Sequence, residues 1–316
     1  MNVLLSSFSG ISTMLIIVLV GIFMDKKGWV DENAISFVSK LVNYVCLPPL
    51  MFVTVFTKVN SEILIRIRDA VWIPFLSMLL AMIICRIMGS AIKIEKKHLG
   101  IFTTSIGLSN AIFIGMPVCI SLFGDISIPY VMTYYFGNTV LFWTLGIQQI
   151  ASSGDCDQKI FSWATLKSIA SPPLISSILG VLFLICGFSI PSLIIKPFSL
   201  IGNMTTPLAM LFIGFAISRA KWNEFTFDSK FFIALVGRFI VSPSILLVLA
   251  IYSKLDPFVT KVFFIMAAMP SMANISIITK HYNGDYKYAA GITTATTCLA
   301  CIVIPLYMYL YALFLE

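Results

Sequence analysis

Apolar residues run along this chain in blocks of about 20, long enough for a helix to cross a bilayer. Short polar clusters separate the blocks. With a minimum span of about 17 residues, the pattern predicts ten helices. They are Leu5–Met24, Asn33–Phe56, Ala70–Ile92, Leu99–Phe123, Ser127–Ile150, Leu166–Phe188, Leu193–Ile217, Phe231–Tyr252, Phe258–Lys280 and Asp285–Leu313. The longest polar break, Ser152 to Lys159, marks the midpoint. The expected fold is an all-α integral membrane protein. Its first half is residues 1–150, its central cytoplasmic loop 151–165 and its second half 166–316.

Two spans break the pattern. Ile101–Phe123 is apolar at both ends, yet its middle carries Ser109, Asn110, Gly115 and Pro117. Pro117 lacks a backbone donor and crowds the preceding turn, and Gly115 permits close approach or an unwound backbone, so the helix is expected to break there. Val262–Lys280 carries Pro270, Ser271, Asn274 and Ser276 in the same way. Backbone groups freed at membrane depth survive only where protein or a water-filled cavity satisfies them. A pair of interrupted spans in corresponding halves is the sequence pointer to a transport site.

The halves repeat. Gly124-Asp125 closes the fourth span and Gly284-Asp285 the ninth, 160 residues apart. Pro48-Pro49-Leu50 in the second span matches Pro207-Leu208 in the seventh at nearly the same offset. Five spans per repeat is an odd number, so the two repeats are expected in opposite senses across the membrane, with helices 4 and 9 broken. The loops holding Lys26, Lys27, Lys93, Lys96 and Lys97 are richer in basic residues than those holding Lys58, Arg66 and Arg68. That bias puts the richer side in the cytoplasm and both termini outside. The apolar N-terminal run has no Lys or Arg before it, so it reads as the first span, not a cleaved leader.

Composition agrees with this picture: 59% of the 316 residues are hydrophobic and 11% charged, against about 25% charged in soluble domains. The net charge of +7 lies in short loops and reads as topology, so the expected partners are the lipid bilayer and a small substrate, with no nucleic acid. Six of the seven cysteines fall in apolar spans, where Cys packs as a small hydrophobe. Cys298 and Cys301 form a CxxC without a nearby His. His98 and His281 sit at span ends. No metal, cofactor or enzyme signature follows.

The candidate chemistry is therefore that of a binding site. A half-helix N-terminus at midplane offers free N–H groups and a partial positive charge, which attract an anion. Asn110 and Asn274 lie near the breaks and can donate without the desolvation cost of a buried Lys; each can equally cross-link broken backbone. Ser109, Gly115, Pro117, Pro270 and Ser271 shape the same stretches. Asn43, Asn138, Thr205 and the Thr293–Thr297 group are further candidates that can also serve as interhelical hydrogen-bond partners. No Asp or Glu lies mid-span, which favours an anionic substrate. Arg86 and Arg238 do lie in spans, and near their ends snorkelling is the expectation; Arg238, about two turns deep, is the better candidate of the two for helping to attract an anion.

The run Asn110–Pro117, NAIFIGMP, resembles the auxin efflux carrier family, which includes bacterial carriers and the plant PIN carriers. Tyr134–Gly146, Ala268-Met269-Pro270 and Lys280–Asp285 extend the resemblance along nearly the whole chain. The resemblance implies a scaffold of helices 1, 2, 6 and 7 that forms a homodimer. It implies a transport domain of helices 3–5 and 8–10 that moves in an elevator-like step, with Asn110 on the substrate carboxylate. Where plant members carry Asn near the sixth span, this chain has Ser171-Pro172-Pro173; their long central loop is absent. A small organic acid such as malate or malonate, or an auxin-like acid, is the implied substrate. Two other readings stay open. One is a sodium- or proton-coupled carrier of the related bile-acid-symporter or cation/proton-antiporter fold. The other is a non-transporting membrane sensor.

Overall fold

The structure is a computed structural model that describes residues 2–153, 170–188, 190–220 and 228–314. Most of the expected central break, from Gly154 to Lys159, lies outside the described residues, as does the start of the sixth span at Leu166–Ile169.

Every named element among the described residues is helical. In chain order they are α1 (Asn2–Lys26), α2 (Glu32–Lys58), α3 (Ser61–Ala70), α4 (Trp72–Ala91), α5 (Lys96–Gly107), α6 (Ala111–Phe123), α7 (128–153), α8 (Pro172–Ile185), α9 (Ser192–Ser218), α10 (Ser229–Tyr252), α11 (Pro257–Ala267), α12 (Asn274–His281) and α13 (Tyr286–Phe314). Five stretches are long and apolar enough to cross a membrane: α2, Glu62–Ala91, α9, α10 and the bulk of α13. Helices α6, α8 and α11 are shorter and apolar. The expected loop between the second and third spans is instead helix α3. Asn60 caps it through Oδ1, 2.8 Å from the Ile63 N–H, and Glu62 pairs with Arg66 one turn on.

The chain packs as two compact units that interleave in sequence. The first holds Met1–Asp69, Ile112–Met132 and Ala170–Arg219; the second holds Ala70–Ala111, Thr133–Ile169 and Ala220–Glu316. In the first unit, α1 lies against the second half of α9 at a pair of glycines. A Cβ on Gly214 would meet the Val18 carbonyl oxygen at 2.3 Å and Gly21 Cα at 2.9 Å, so only Gly permits this approach. Arg219 locks the same helix pair, donating through Nε to Asp25 at 2.7 Å and to the Val30 carbonyl at 2.5 Å.

In the second unit, α5 packs on α4 and α7, and α10 on α4. At its edge His98 Nε2 sits 3.0 Å from Asp285 Oδ2 and its ring stacks on Tyr288 at 4.2 Å. Partial burial acts to raise the Asp285 carboxyl. The His98 contact, the Tyr288 N–H and the nearby charges of His98 and Lys97 outweigh it and hold the carboxyl below its ordinary value.

Three prolines share one local setting. Of the four π turns among the described residues, Leu41–Cys46, Ala111–Gly115 and Gly237–Val241 are each followed by a proline two residues beyond their end: Pro48, Pro117 and Pro243. The wide turn bonds each N–H five residues back, as Leu47 does to Val42 and Ser242 to Gly237. The extra residue makes room for the pyrrolidine ring, which would otherwise strike the carbonyl four residues earlier. Pro117 therefore does not break its helix. It sits in the first turn of Met116–Phe123, and Gly115 before it has ordinary helical dihedrals, φ −62° and ψ −48°. The interruption lies upstream, at Leu108–Asn110. Pro270 does lie in the second interruption, between α11 and α12.

Candidate functional site

Helix α5 stops at Gly107 because Leu108 turns extended, with φ −117° and ψ 138°. Helix α11 stops at Ala267, and Pro270 then offers a carbonyl but no N–H. The two interruptions meet. Ser109 and Ser271 face each other as a single antiparallel bridge, and the Asn110 N–H donates to the Pro270 carbonyl at 2.8 Å. Ser271 Oγ donates to the Ser105 carbonyl at 2.7 Å.

A polar side chain from the following span closes each break. Asn138, fully buried on α7, accepts from the Ser109 N–H and donates to the Ser109 carbonyl, both at 3.0 Å. Thr296 on α13 accepts from the Ser271 N–H at 3.2 Å while its own hydroxyl donates to Ile292. These contacts satisfy backbone that would otherwise be stranded in an apolar interior.

Arg238 does not snorkel, contrary to the sequence expectation. It is 0% exposed. Nε donates to the Met269 carbonyl at 2.7 Å, and the two terminal nitrogens donate to the carbonyls of Ile106 and Ala267. The physical reason is the pair of interrupted helices. Their last carbonyls lack intrahelical partners and carry the negative ends of two helix dipoles. Three acceptors at two negative ends outweigh a long reach to solvent. Arg86 is half-buried and donates to Gln149.

What remains unpartnered is informative. Asn110 is 7% exposed, and its amide makes no hydrogen bond to any described residue. Asn274, half-buried, opens α12 with its side chain equally unengaged among the described residues. The hydroxyls of Ser105, Ser109, Tyr134 and Thr139 are buried without a hydrogen bond of normal geometry, although Tyr134 lies beside both Ser109 and Arg238.

A family profile described as membrane transport protein matches residues 7–308. The chain belongs to that family, which includes the auxin efflux carriers. Two relatives cover nearly all of its length. An uncharacterized transporter of Methanocaldococcus jannaschii is 28% identical over 299 residues, covering 93% of this chain and 95% of its own. An uncharacterized transporter of Methanothermobacter thermautotrophicus is 22% identical over 314 residues, covering 96% and 98%.

In this family member the structure brings Ser109, Asn110, Asn138, Pro270 and Ser271 into one network of the second unit, with Asn274 opening the next helix. Asn43, Thr205, Gly115 and Pro117 belong to the first unit. Asn43 is half-buried in the π turn of α2, and Thr205 has a fully buried hydroxyl without a partner. Sequence reasoning did not mark Ser105, read Arg238 as a snorkelling residue or an attractor of anions and not as the partner of broken backbone, and named Thr296 only within a threonine cluster. The one signal that singles out Arg238 is its place inside an apolar run with no acid beside it.

Proposed function

We propose that this transporter is a secondary carrier for a small organic anion, with one carboxylate held where the two interrupted spans cross. The observation that carries the reading is the unengaged Asn110 amide at the point where the breaks pair. Helix α6 begins at the next residue, Ala111, and α12 begins three residues beyond Ser271; the positive dipole end of each suits a carboxylate. No Asp or Glu of this sequence lies mid-span to oppose a negative guest. Malate, malonate and auxin-like acids fall in the class.

The finer architecture belongs to the same reading: ten spans in two inverted five-helix repeats. Ser109 with Asn138 is mirrored by Ser271 with Thr296, at separations of 162 and 158 residues, which supports the repeat. In this reading spans three to five and eight to ten form the moving part of an elevator-like step. Spans one, two, six and seven would be the scaffold, joined to a second copy as a homodimer. The termini would lie outside a cell membrane, and no nucleic acid takes part.

Uptake of radiolabelled mono- and dicarboxylates into proteoliposomes tests the reading. The wild type is expected to accumulate at least one of them and Asn110→Ala to lose that uptake while staying folded. Equal flux in the two proteins removes Asn110 from the site. Uptake that requires sodium and ignores the carboxylate favours the cation-coupled alternative.

A further inference from the structure

The charges around the crossing do not balance at both ends of the broken helices. Two C-terminal ends, those of α5 and α11, deliver their last carbonyls to Arg238. Each helix end carries about half a negative charge, so the pair carries about one. The guanidinium carries one positive charge and stays protonated in any protein setting. Its planar fork reaches acceptors on both helices at once. A buried ion normally needs a counter-ion; here no carboxylate among the described residues touches it, and Tyr134 and Cys85 lie near it. The two negative poles are the counter-ion.

That cancellation leaves the other two poles. Helix α6 opens at Ala111 and α12 at Asn274, each with about half a positive charge at its first turn. The Ala111 N–H is taken by the Ser109 carbonyl and the Ile275 N–H by the Met272 carbonyl. Asn110, one residue before α6, is 7% exposed, and its amide has no partner among the described residues. The surplus at the crossing is therefore about one positive charge.

We propose that Arg238 is the positioning residue that sets the charge preference of this site, and that the site takes a ligand presenting a single carboxylate. Arg238 does not touch the ligand. It removes the field of the negative poles that would repel an anion. A second carboxylate on the ligand exceeds the surplus, so monocarboxylates bind ahead of dicarboxylates. This inference rests on the anion reading above and narrows its substrate class.

The test uses full-length protein in nanodiscs and two matched ligand sets: hexanoate, hexanamide and adipate; and phenylacetate, phenylacetamide and phenylmalonate. Binding is read by isothermal calorimetry and by thermal shift. In the wild type, the monoacid of at least one set is expected to bind more tightly than both its amide and its diacid. In Arg238→Gln the acid-to-amide affinity ratio is expected to fall about tenfold, the scale of one unit charge acting within a protein interior. Arg238→Lys, which keeps the charge but loses the fork, is expected to retain most of that ratio. A purely structural role would weaken acid and amide together and leave the ratio unchanged. An unchanged ratio in folded Arg238→Gln, or a wild type that prefers the diacids, overturns the proposal. If Arg238→Gln does not fold, the Arg238→Lys ratio and the wild-type diacid comparison decide it. If the wild type binds amides and acids alike, the anion reading fails and this inference falls with it.

Discussion

Asn138 holds Ser109 as a neighbouring β-strand would. One side-chain amide accepts from the Ser109 N–H and donates to the Ser109 carbonyl, each at 3.0 Å, and Asn138 is fully buried. An amide is the side chain that matches a peptide group donor for acceptor. Asn138→Ala strands both backbone groups and is expected to destabilise the protein by about 2–6 kcal/mol, from about 1–3 per unmade buried partner. Asn138→Asp keeps the acceptor but loses the donor and buries a charge, so it is expected to be at least as harmful. Thermal unfolding in one detergent, with Asn138→Ala and Asn138→Asp compared, checks this; a near-neutral Asn138→Ala contradicts it.

Asn110 is expected to behave in the opposite way. Its amide engages no described residue, so Asn110→Ala is expected to leave the free energy of unfolding within about 0.5 kcal/mol of wild type, the range for positions without a structural feature. Its transport loss would then be a site effect. A large stability change would instead mark Asn110 as structural.

Tyr307 supplies a donor that Pro243 removes. Its hydroxyl donates to the Phe239 carbonyl, four residues before Pro243 and thus lacking a helical N–H from that position. Tyr307→Phe is expected to cost about 1 kcal/mol. In a Pro243→Ala background residue 243 regains an N–H, and the cost is expected to shrink. A double-mutant cycle by thermal denaturation reads the coupling; strict additivity contradicts the assignment.

The close approach at Gly214 leaves no room for a methyl group, since a Cβ there would stand 2.3 Å from the Val18 carbonyl oxygen. Gly214→Ala is expected to destabilise by about 1–3 kcal/mol through overpacking, whereas Gly124→Ala meets no neighbour within 4 Å and acts only through its positive φ of 74°. Comparing the two variants by denaturation separates contact from backbone strain.

The Asp285 carboxyl gives a pH prediction. Its folded value lies below the ordinary 3.8, so its contribution to stability is present above that value and is lost as pH falls through the lower folded value. The melting-temperature gap between wild type and Asp285→Asn is expected to hold at about pH 6 and to narrow below about pH 4. A gap that widens on acidification contradicts the arrangement.

Much of the path to the site was legible in one dimension. The positions of the spans follow from apolar run length, because in lipid every backbone group must be satisfied inside its own helix. The two interruptions follow from polar residues and prolines inside such runs, and Asn110, Ser271 and Pro270 were marked by that mismatch. The location of the first break was displaced. A proline forbids one hydrogen bond, but whether that ends a helix depends on whether a wide turn can form upstream, as it does at Ala111–Gly115. Local sequence offers both outcomes, and packing chooses.

By itself, then, the sequence determined the class of the protein, its succession of apolar helices and the presence of two polar interruptions, since each depends on the local balance of apolar length against unsatisfied backbone. Only the tertiary structure decided that the interruptions pair through Ser109 and Ser271, that Asn138 and Thr296 close them, and that Arg238 turns inward. Those choices depend on which carbonyls and amides from distant parts of the chain arrive at the same depth without partners, and no run of neighbouring residues encodes that meeting.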